Sequence, residues 1–218
     1  METALIEAVD EGCQNLRKKH SSERKYVKFH PSSFGDCARK TYYNHTGVKG
    51  IPHESKTLRI FDTGHKIHEL MVEYLVESQA FNVINDEFTV YDALFEGHVD
   101  CFGVIDGEQV IVDFKTIGND SFESISLYGR AISKLYVWQA HIYMHLLKVK
   151  KFKLLFFNKN DQRLFEKTIK WQDGLIDEIY RKAAKVLSCI QRKEVPDREF
   201  KKSNFKCKTC EFREVCWK

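Results

Sequence analysis

The chain has 218 residues, 43% of them hydrophobic and 30% charged, which suits a cored domain and excludes a disordered or fibrous protein. Lys and Arg number 35 against 31 Asp and Glu, for a net charge of +4 and an isoelectric point near 8.6; this permits a polyanionic partner without demanding one. No run approaches the ~18 apolar residues that read as a membrane span. The acidic start (Glu2, Glu7, Asp10, Glu11) lacks the form of a secretion signal. The expected location is therefore the cytoplasm, where the seven cysteines read as core residues or ligands, not as a disulfide framework.

In chain order, the N-terminal segment reads as a helix that turns polar after the basic run Arg17-Lys18-Lys19. Between His30 and Gly50 the pattern is mixed, with Ser32 and Ser33 as candidate caps for a short helix through Phe34 to Tyr43. From Thr57 to Ser78 apolar residues recur at helical spacing: Leu58, Phe61, Ile67, Leu70, Met71, Tyr74 and Leu75. Strand-like runs follow near Asp86 to Tyr91, from Glu96 to Ile105 and from Glu108 to Thr116. A helix is predicted from Ser133 to Leu147, and two more strands at Phe152 to Asn158 and Arg163 to Lys170. A long amphipathic helix runs from Asp173 to Arg192, its apolar side carrying Leu175, Ile179, Ala183, Val186 and Ile190. The tail, Glu199 to Lys218, is basic, cysteine-rich and too short for a core of its own. The pattern implies an α/β fold: a mixed sheet flanked by helices, with additions at both ends. The expected division is a helical segment at 1–56, a core at 57–193 and a tail at 194–218.

The segment Gly97 to Lys115 carries the most information. Asp106-Gly107 is a strong two-residue hairpin turn. If Ile105 faces Glu108, then Asp100 lies opposite Asp113 and His98 opposite Lys115. Strand alternation puts Asp113 and Lys115 on one face and Phe114 on the other. Two opposed carboxylates repel, and Asp113 follows the apolar run Val110-Ile111-Val112. A buried pair of this kind is well neutralised by a divalent cation with a preference for hard oxygen ligands, Mg²⁺ or Mn²⁺. The plainer reading is the polar face of a hairpin with an Asp113–Lys115 ion pair.

Asp100 followed by Asp113-Phe114-Lys115 after an apolar strand resembles the D…(D/E)-x-K core of the PD-(D/E)XK nucleases. Gly64-His65-Lys66-Ile67-His68 resembles the G-x-x-x-H motif of the RecB-like branch, and Gln139 to Tyr143 its Q-x-x-x-Y motif. His65 is the competitor to His68. Cys207-x-x-Cys210 and Cys216, with Cys37 far upstream, resemble the ligand set of the iron-sulfur members of that branch. Those members include CRISPR-associated single-strand exonucleases and the AddB subunit of recombination nucleases. The resemblance spans Ser32 to Cys216 and departs from the family pattern where Gly97-His98-Val99 precedes Asp100 without a proline.

The resemblance implies a restriction-endonuclease-like core and a metal-dependent nuclease acting on ends of single-stranded DNA, in recombination, repair, phage DNA processing or CRISPR adaptation. Asp100, Asp113, His68 and the Phe114 carbonyl would hold Mg²⁺ or Mn²⁺; Lys115 would orient the attacking water; Gln139 and Tyr143 would serve the substrate phosphate or the metal pocket. Cys37, Cys207, Cys210 and Cys216 would hold a structural [4Fe–4S] cluster joining the two end segments. Zinc suits four thiolates equally well. Cys13, Cys101 and Cys189 read as core residues. Lys201, Lys202, Lys206, Lys208, Arg213 and Lys218, with Arg39 and Lys40, offer a phosphate-tracking face, and Tyr42, Tyr43 and Phe205 offer stacking surfaces. A helicase or other DNA-processing protein is an expected partner. The alternatives are a non-catalytic iron-sulfur DNA-binding module and a structure-specific flap endonuclease.

Overall fold

Asp106 and Gly107 sit at φ of 53° and 77°, the two left-handed positions of a type I′ turn. They join β2 (Glu96–Ile105) to β3 (Glu108–Ile117) in the expected register, from Ile105 opposite Glu108 back to Cys101 opposite Val112. This is a computed structural model, and it describes residues 4–20 and 28–218.

Around that hairpin the described strands form a five-stranded sheet in sequence order. β1 (Asn82–Tyr91) lies antiparallel to β2, β4 (Lys151–Asn158) parallel to β3, and β5 (Leu164–Lys170) antiparallel to β4. The parallel β3–β4 pair needs a crossover. It is supplied by α5 (Asn119–Ser126) and α6 (Lys134–Leu147). The mixed sheet flanked by helices is the architecture expected of a restriction-endonuclease-like core.

Each face of the sheet has its own packing. On one, Ile111, Leu154, Phe156 and Phe152 meet Ala140, Tyr143 and Met144 of α6. On the other, Val110, Val112 and Phe114 meet Met71 and Val72 of α4 (Ser55–Val76). α6 is buried continuously from Trp138 to Met144 because it lies between the sheet and α7 (Leu175–Arg192), whose Ile179, Ala183 and Val186 are its outer cover. α1 (Ala4–His20) packs on α4. Residues 21–27, which carry the polar end of the predicted N-terminal helix, lie outside the described residues.

Three differences from the sequence reading have physical causes. β1 begins at Asn82, four residues before the expected strand, because its bulge between Val83 and Asn85 lets it keep pairing with Gly103 and Val104. α5 breaks what read as a connection, and its apolar contribution is chiefly Phe122. The helix predicted from Phe34 to Tyr43 is two: α2 (Pro31–Phe34) and α3 (Ala38–His45). Pro31 starts α2 with its φ preset for a helix, so Ser32 and Ser33 lie inside it and cap nothing. Gly35 follows as its C-cap, and the position requires glycine because a Cβ there would sit 2.9 Å from the Leu135 backbone. Cys37 is thereby placed at the break, as the residue before α3.

The tail adds two single-turn helices, α8 (Phe205–Lys208) and α9 (Arg213–Cys216). Phe212 buries itself among Tyr42, Tyr43 and Cys189. Cys13, Cys101 and Cys189 are all buried, as their core reading expects. No helix among the described residues is long and apolar enough to cross a membrane.

Candidate active site and cysteine cavity

The β2–β3 ladder is regular up to Cys101–Val112 and then opens. The next residue on β2 is Asp100, and its Oδ2 accepts the Phe114 N–H at 2.8 Å. A side chain has replaced a backbone acceptor, so the two strands diverge and the acids stand in the fork. Asp113 is 2% exposed. Its Oδ1 accepts from Gln139 Nε2 at 2.7 Å, and its Oδ2 lies 2.5 Å from Lys115 Nζ. That Oδ2 is fully buried and, although paired in charge, has no hydrogen bond of sound geometry. A buried carboxylate oxygen left in that state suits a cation. Oxygen donors from two acids fit Mg²⁺ or Mn²⁺.

Burial first, and then the neighbouring Asp113 charge, push the Asp100 carboxyl well above the usual carboxylate range; the Phe114 N–H and Lys115 work the other way. Burial also opposes charge on Lys115, but Asp113 outweighs it and holds the ammonium above its ordinary value. Lys115 therefore balances one acid while the second is under strain, which is the state a dication relieves.

His68 projects from α4 with Nδ1 3.4 Å from Asp100 Oδ2 and its ring 6.0 Å from that of Phe114. Burial lowers its pKa to about 4, so it is neutral near pH 7 and available as a ligand. His65 is exposed and does not reach the acids in this way. Gln139 and Tyr143 share one face of α6 but do different work. Gln139 fixes Asp113; Tyr143 is 1% exposed and its hydroxyl donates to the His98 carbonyl at 2.7 Å, tying α6 to β2 two residues before Asp100. Neither hydroxyl nor amide faces outward for a substrate phosphate, and both support the fork. Of Phe114, the backbone N–H is the group engaged here.

One acid near the fork was not singled out by motif. The β1–β2 ladder passes from Asp86–Cys101 to Phe88–Val99, which brings Glu87 level with Asp100. Glu87 is non-glycine at φ 43°, and its charge adds to the rise in the Asp100 pKa. Counting the β1–β2 register back from the turn at Asp92 would have found it. Among the described residues, no three His, Cys, Asp or Glu side chains already form a metal cage; Lys115 and Gln139 occupy the Asp113 oxygens instead.

Cys37, Cys207, Cys210 and Cys216 line a single small cavity between α3 and the tail. Burial, foremost, raises the Cys37 and Cys210 thiols, so a metal or cluster there must displace protons. Arg39 Nη1 lies 3.6 Å from Cys216 Sγ, and Lys40, Lys206 and Arg213 also border the cavity. Thiols are donors that zinc or an iron-sulfur cluster would take, but among the described residues no three of them are gathered into a metal cage. The expected phosphate-tracking face is partly spent on this arrangement. Lys40 pairs with Glu211 at 3.2 Å and Lys206 with Asp36 at 2.9 Å, while Arg39 also donates to the Pro196 and Cys216 carbonyls. Tyr42 and Tyr43 are 6% and 5% exposed and unavailable for stacking; Phe205, at 76%, is open.

Comparison with known proteins agrees with the fold. A family model for the PD-(D/E)XK nuclease superfamily matches residues 62–217. The crystal structure of SSO0001 aligns with a TM-score of 0.59 at 17% identity, over 99% of this chain and 98% of that one. An alkaline exonuclease, LHK-Exo, from Laribacter hongkongensis aligns at 0.56 and 15% identity, over 78% and 90%. The structure of LHK-Exo in complex with dAMP gives 0.54 and 16%, over the same shares. No curated protein sequence matches.

Proposed function

The chain belongs to the PD-(D/E)XK nuclease superfamily, and from that premise we propose that it is a Mg²⁺- or Mn²⁺-dependent deoxyribonuclease, an exonuclease on ends of single-stranded DNA. The observation that carries this reading is the fork: two acids and a lysine, with the Oδ2 of Asp113 buried against Lys115 and short of a hydrogen bond. A structural hairpin gains nothing from such a cluster, since like charges across strands destabilise it.

Asp100, Asp113, His68 and the Phe114 carbonyl would hold the ion, which supplies Lewis-acid charge to a phosphodiester and acidifies water. Lys115 holds that water and meets the charge that builds on the phosphate oxygens during in-line attack. Gln139 keeps Asp113 in one rotamer. Tyr143 keeps β2 at the distance that opens the fork. The products are a 5′-phosphate and a 3′-hydroxyl. Cys37, Cys207, Cys210 and Cys216 would hold a structural [4Fe–4S] cluster, with zinc as the alternative, fastening the N-terminal segment to the tail. A helicase or other DNA-processing protein would supply unwound strands.

The test is cleavage of end-labelled single-stranded DNA with Mn²⁺ or Mg²⁺, by wild type and by Lys115→Ala. Metal-dependent products in the wild type, lost in the variant, are expected. Absence of products from folded, metal-loaded wild type on single-stranded, duplex and flap DNA would leave a DNA-binding module. Cutting of circular single strands would make it an endonuclease. The absorbance of anaerobically purified protein separates iron-sulfur from zinc.

A further inference from the structure

One groove outside the fork has a chemistry of its own. It lies between α4 and the ends of β3 and β4, encloses about 200 Å³, and is lined by Lys56, Arg59, Thr63, Thr116 and Lys159 around Gly64, with the aliphatic Ile60 and Ile67 between them. No carboxylate lines it. Arg59 is fixed by an ion pair with Asp10 of α1. Lys56 and Lys159 carry no ion pair among the described residues and are exposed. Gly64 makes the floor: a Cβ there would come within 3.2 Å of Thr116 Oγ1, so the helix can lie this close to β3 only without a side chain.

The groove reaches the fork along α4. Gly64 lies one helical turn before His68 on the same face of that helix, about 6 Å along its axis, and His68 Nδ1 is 3.4 Å from Asp100 Oδ2. Thr116, on the α4 face of β3 and so on the side opposite Lys115, lies against Gly64. A strand with one phosphate at the acids would carry its next phosphate over Thr116. Cationic groups and hydroxyls over an aliphatic floor, without an aromatic surface, suit a backbone phosphate and give no stacking platform for a base. We propose that this groove is a subsite for the phosphate adjoining the scissile one, with Lys56 and Lys159 as its cationic walls and Thr116 as its hydroxyl donor. This rests on the nuclease reading and adds the path of the strand beyond the acids. It also accounts for the glycine of the Gly64-to-His68 motif, as the residue that leaves the passage open.

The experiment is anisotropy of dye-labelled oligothymidylate binding to the full chain in EDTA, so that cleavage does not intervene, over a series of salt concentrations. Lys56→Ala and Lys159→Ala are each expected to weaken binding about five-fold at 0.1 M salt and to flatten the slope of log affinity against log salt by about 0.7, the loss of one phosphate contact to a single strand. A charge-matched control, Lys150→Ala at the opposite end of β4, should change neither. Wild-type affinity and slope in both groove variants would overturn the subsite, as would an equal loss in the control. The same proteins are then given Mn²⁺. Wild type that fails to cleave while the groove variants still lose affinity removes the nuclease reading and keeps the subsite. Wild type that cleaves, with the groove variants unchanged in both assays, removes the subsite alone.

Discussion

Replacing Lys115 by Met asks what holds the fork together before any dication arrives. The Lys115 side chain is 15% exposed and that of Asp113 3%, with Nζ and Oδ2 2.5 Å apart. Removing one partner of a buried pair leaves the other charge uncompensated, which costs about 3–5 kcal/mol. In a chain of this length that lowers the melting temperature by roughly 2–4 °C per kcal/mol. In EDTA, Lys115→Met should therefore melt roughly 6–20 °C below wild type. Two consequences follow. Lys115→Met combined with Asp113→Asn should recover most of the loss, because Asp113 is no longer left as an uncompensated charge. Mg²⁺ should also stabilise Lys115→Met more than it stabilises wild type, since Asp113 has lost the ammonium that balances it; a concentration at 100 times the dissociation constant adds about 2.7 kcal/mol. The assay is thermal melting of the three proteins, each with and without Mg²⁺. A loss below about 1 kcal/mol, the size of an exposed pair, together with no gain from Mg²⁺, would refute the buried-pair argument and the metal site with it.

Other outcomes follow from single contacts. Gly97→Ala would bring a Cβ to 2.6 Å from the Tyr143 hydroxyl and 2.8 Å from Pro31; a stability loss of about 1–3 kcal/mol is expected by denaturation, with a fall in cleavage rate as Tyr143 leaves the His98 carbonyl. His141 is buried, with Nδ1 on the Val137 carbonyl and Nε2 facing the Gln172 N–H, and burial, its largest cause, lowers its pKa below 6.5. The folded state then binds fewer protons than the unfolded state, so stability falls as pH drops below about 6.5. His141→Asn should melt with a shallower acid slope, and an unchanged slope would show that another group carries it. Gln139→Leu should leave Asp113 Oδ1 without its donor and lower stability by about 1–3 kcal/mol, read by urea unfolding; a neutral result would mean that Asp113 is solvated through another route. On the proposal that the four cysteines hold an iron-sulfur cluster, anaerobically purified wild type should absorb in the visible and Cys216→Ser should lose that absorbance; retention of the full spectrum would remove Cys216 from the proposed ligands.

Much of the sheet was legible because its signals are local. Asp106-Gly107 fixes a turn type, the turn fixes the register, and the register places Asp113 and Lys115 on one face. The helices with an apolar stripe, α4 and α7, were equally plain. What was not legible depends on distant neighbours. Nothing near Gly35 announces that Leu135 and Trp138 press against it, so the break between α2 and α3 was missed, although it is what positions Cys37. Tyr42 and Tyr43 look like stacking surfaces until Phe212, some 170 residues on, covers them. Arg39 and Lys40 look like free cations until the tail supplies Glu211 and the Cys216 carbonyl. The sequence shows which residues are charged or apolar; it does not show which of them have already been used by a segment elsewhere in the chain.

Asp100 shows why the fork and the irregularity of the sheet are one feature. A continuous β2–β3 ladder would pair Asp100 with Asp113 directly and force two carboxylates together. Instead the Asp100 carboxylate takes the Phe114 N–H, the ladder ends at Cys101–Val112, and β3 turns to its parallel partner β4 from Ile111 onward. On the other side, Glu87 leaves the regular strand conformation at φ 43°, opposite the same residue. The repulsion that makes paired acids a poor choice for a sheet is thus what opens the sheet. Tyr143 and Gln139 then hold the gap from α6, one through the His98 backbone and one through the Asp113 side chain. A substitution that restored a regular ladder, such as Asp100→Val, would favour sheet stability by closing the fork, and stability gained with activity lost is the pairing expected of a strained functional site.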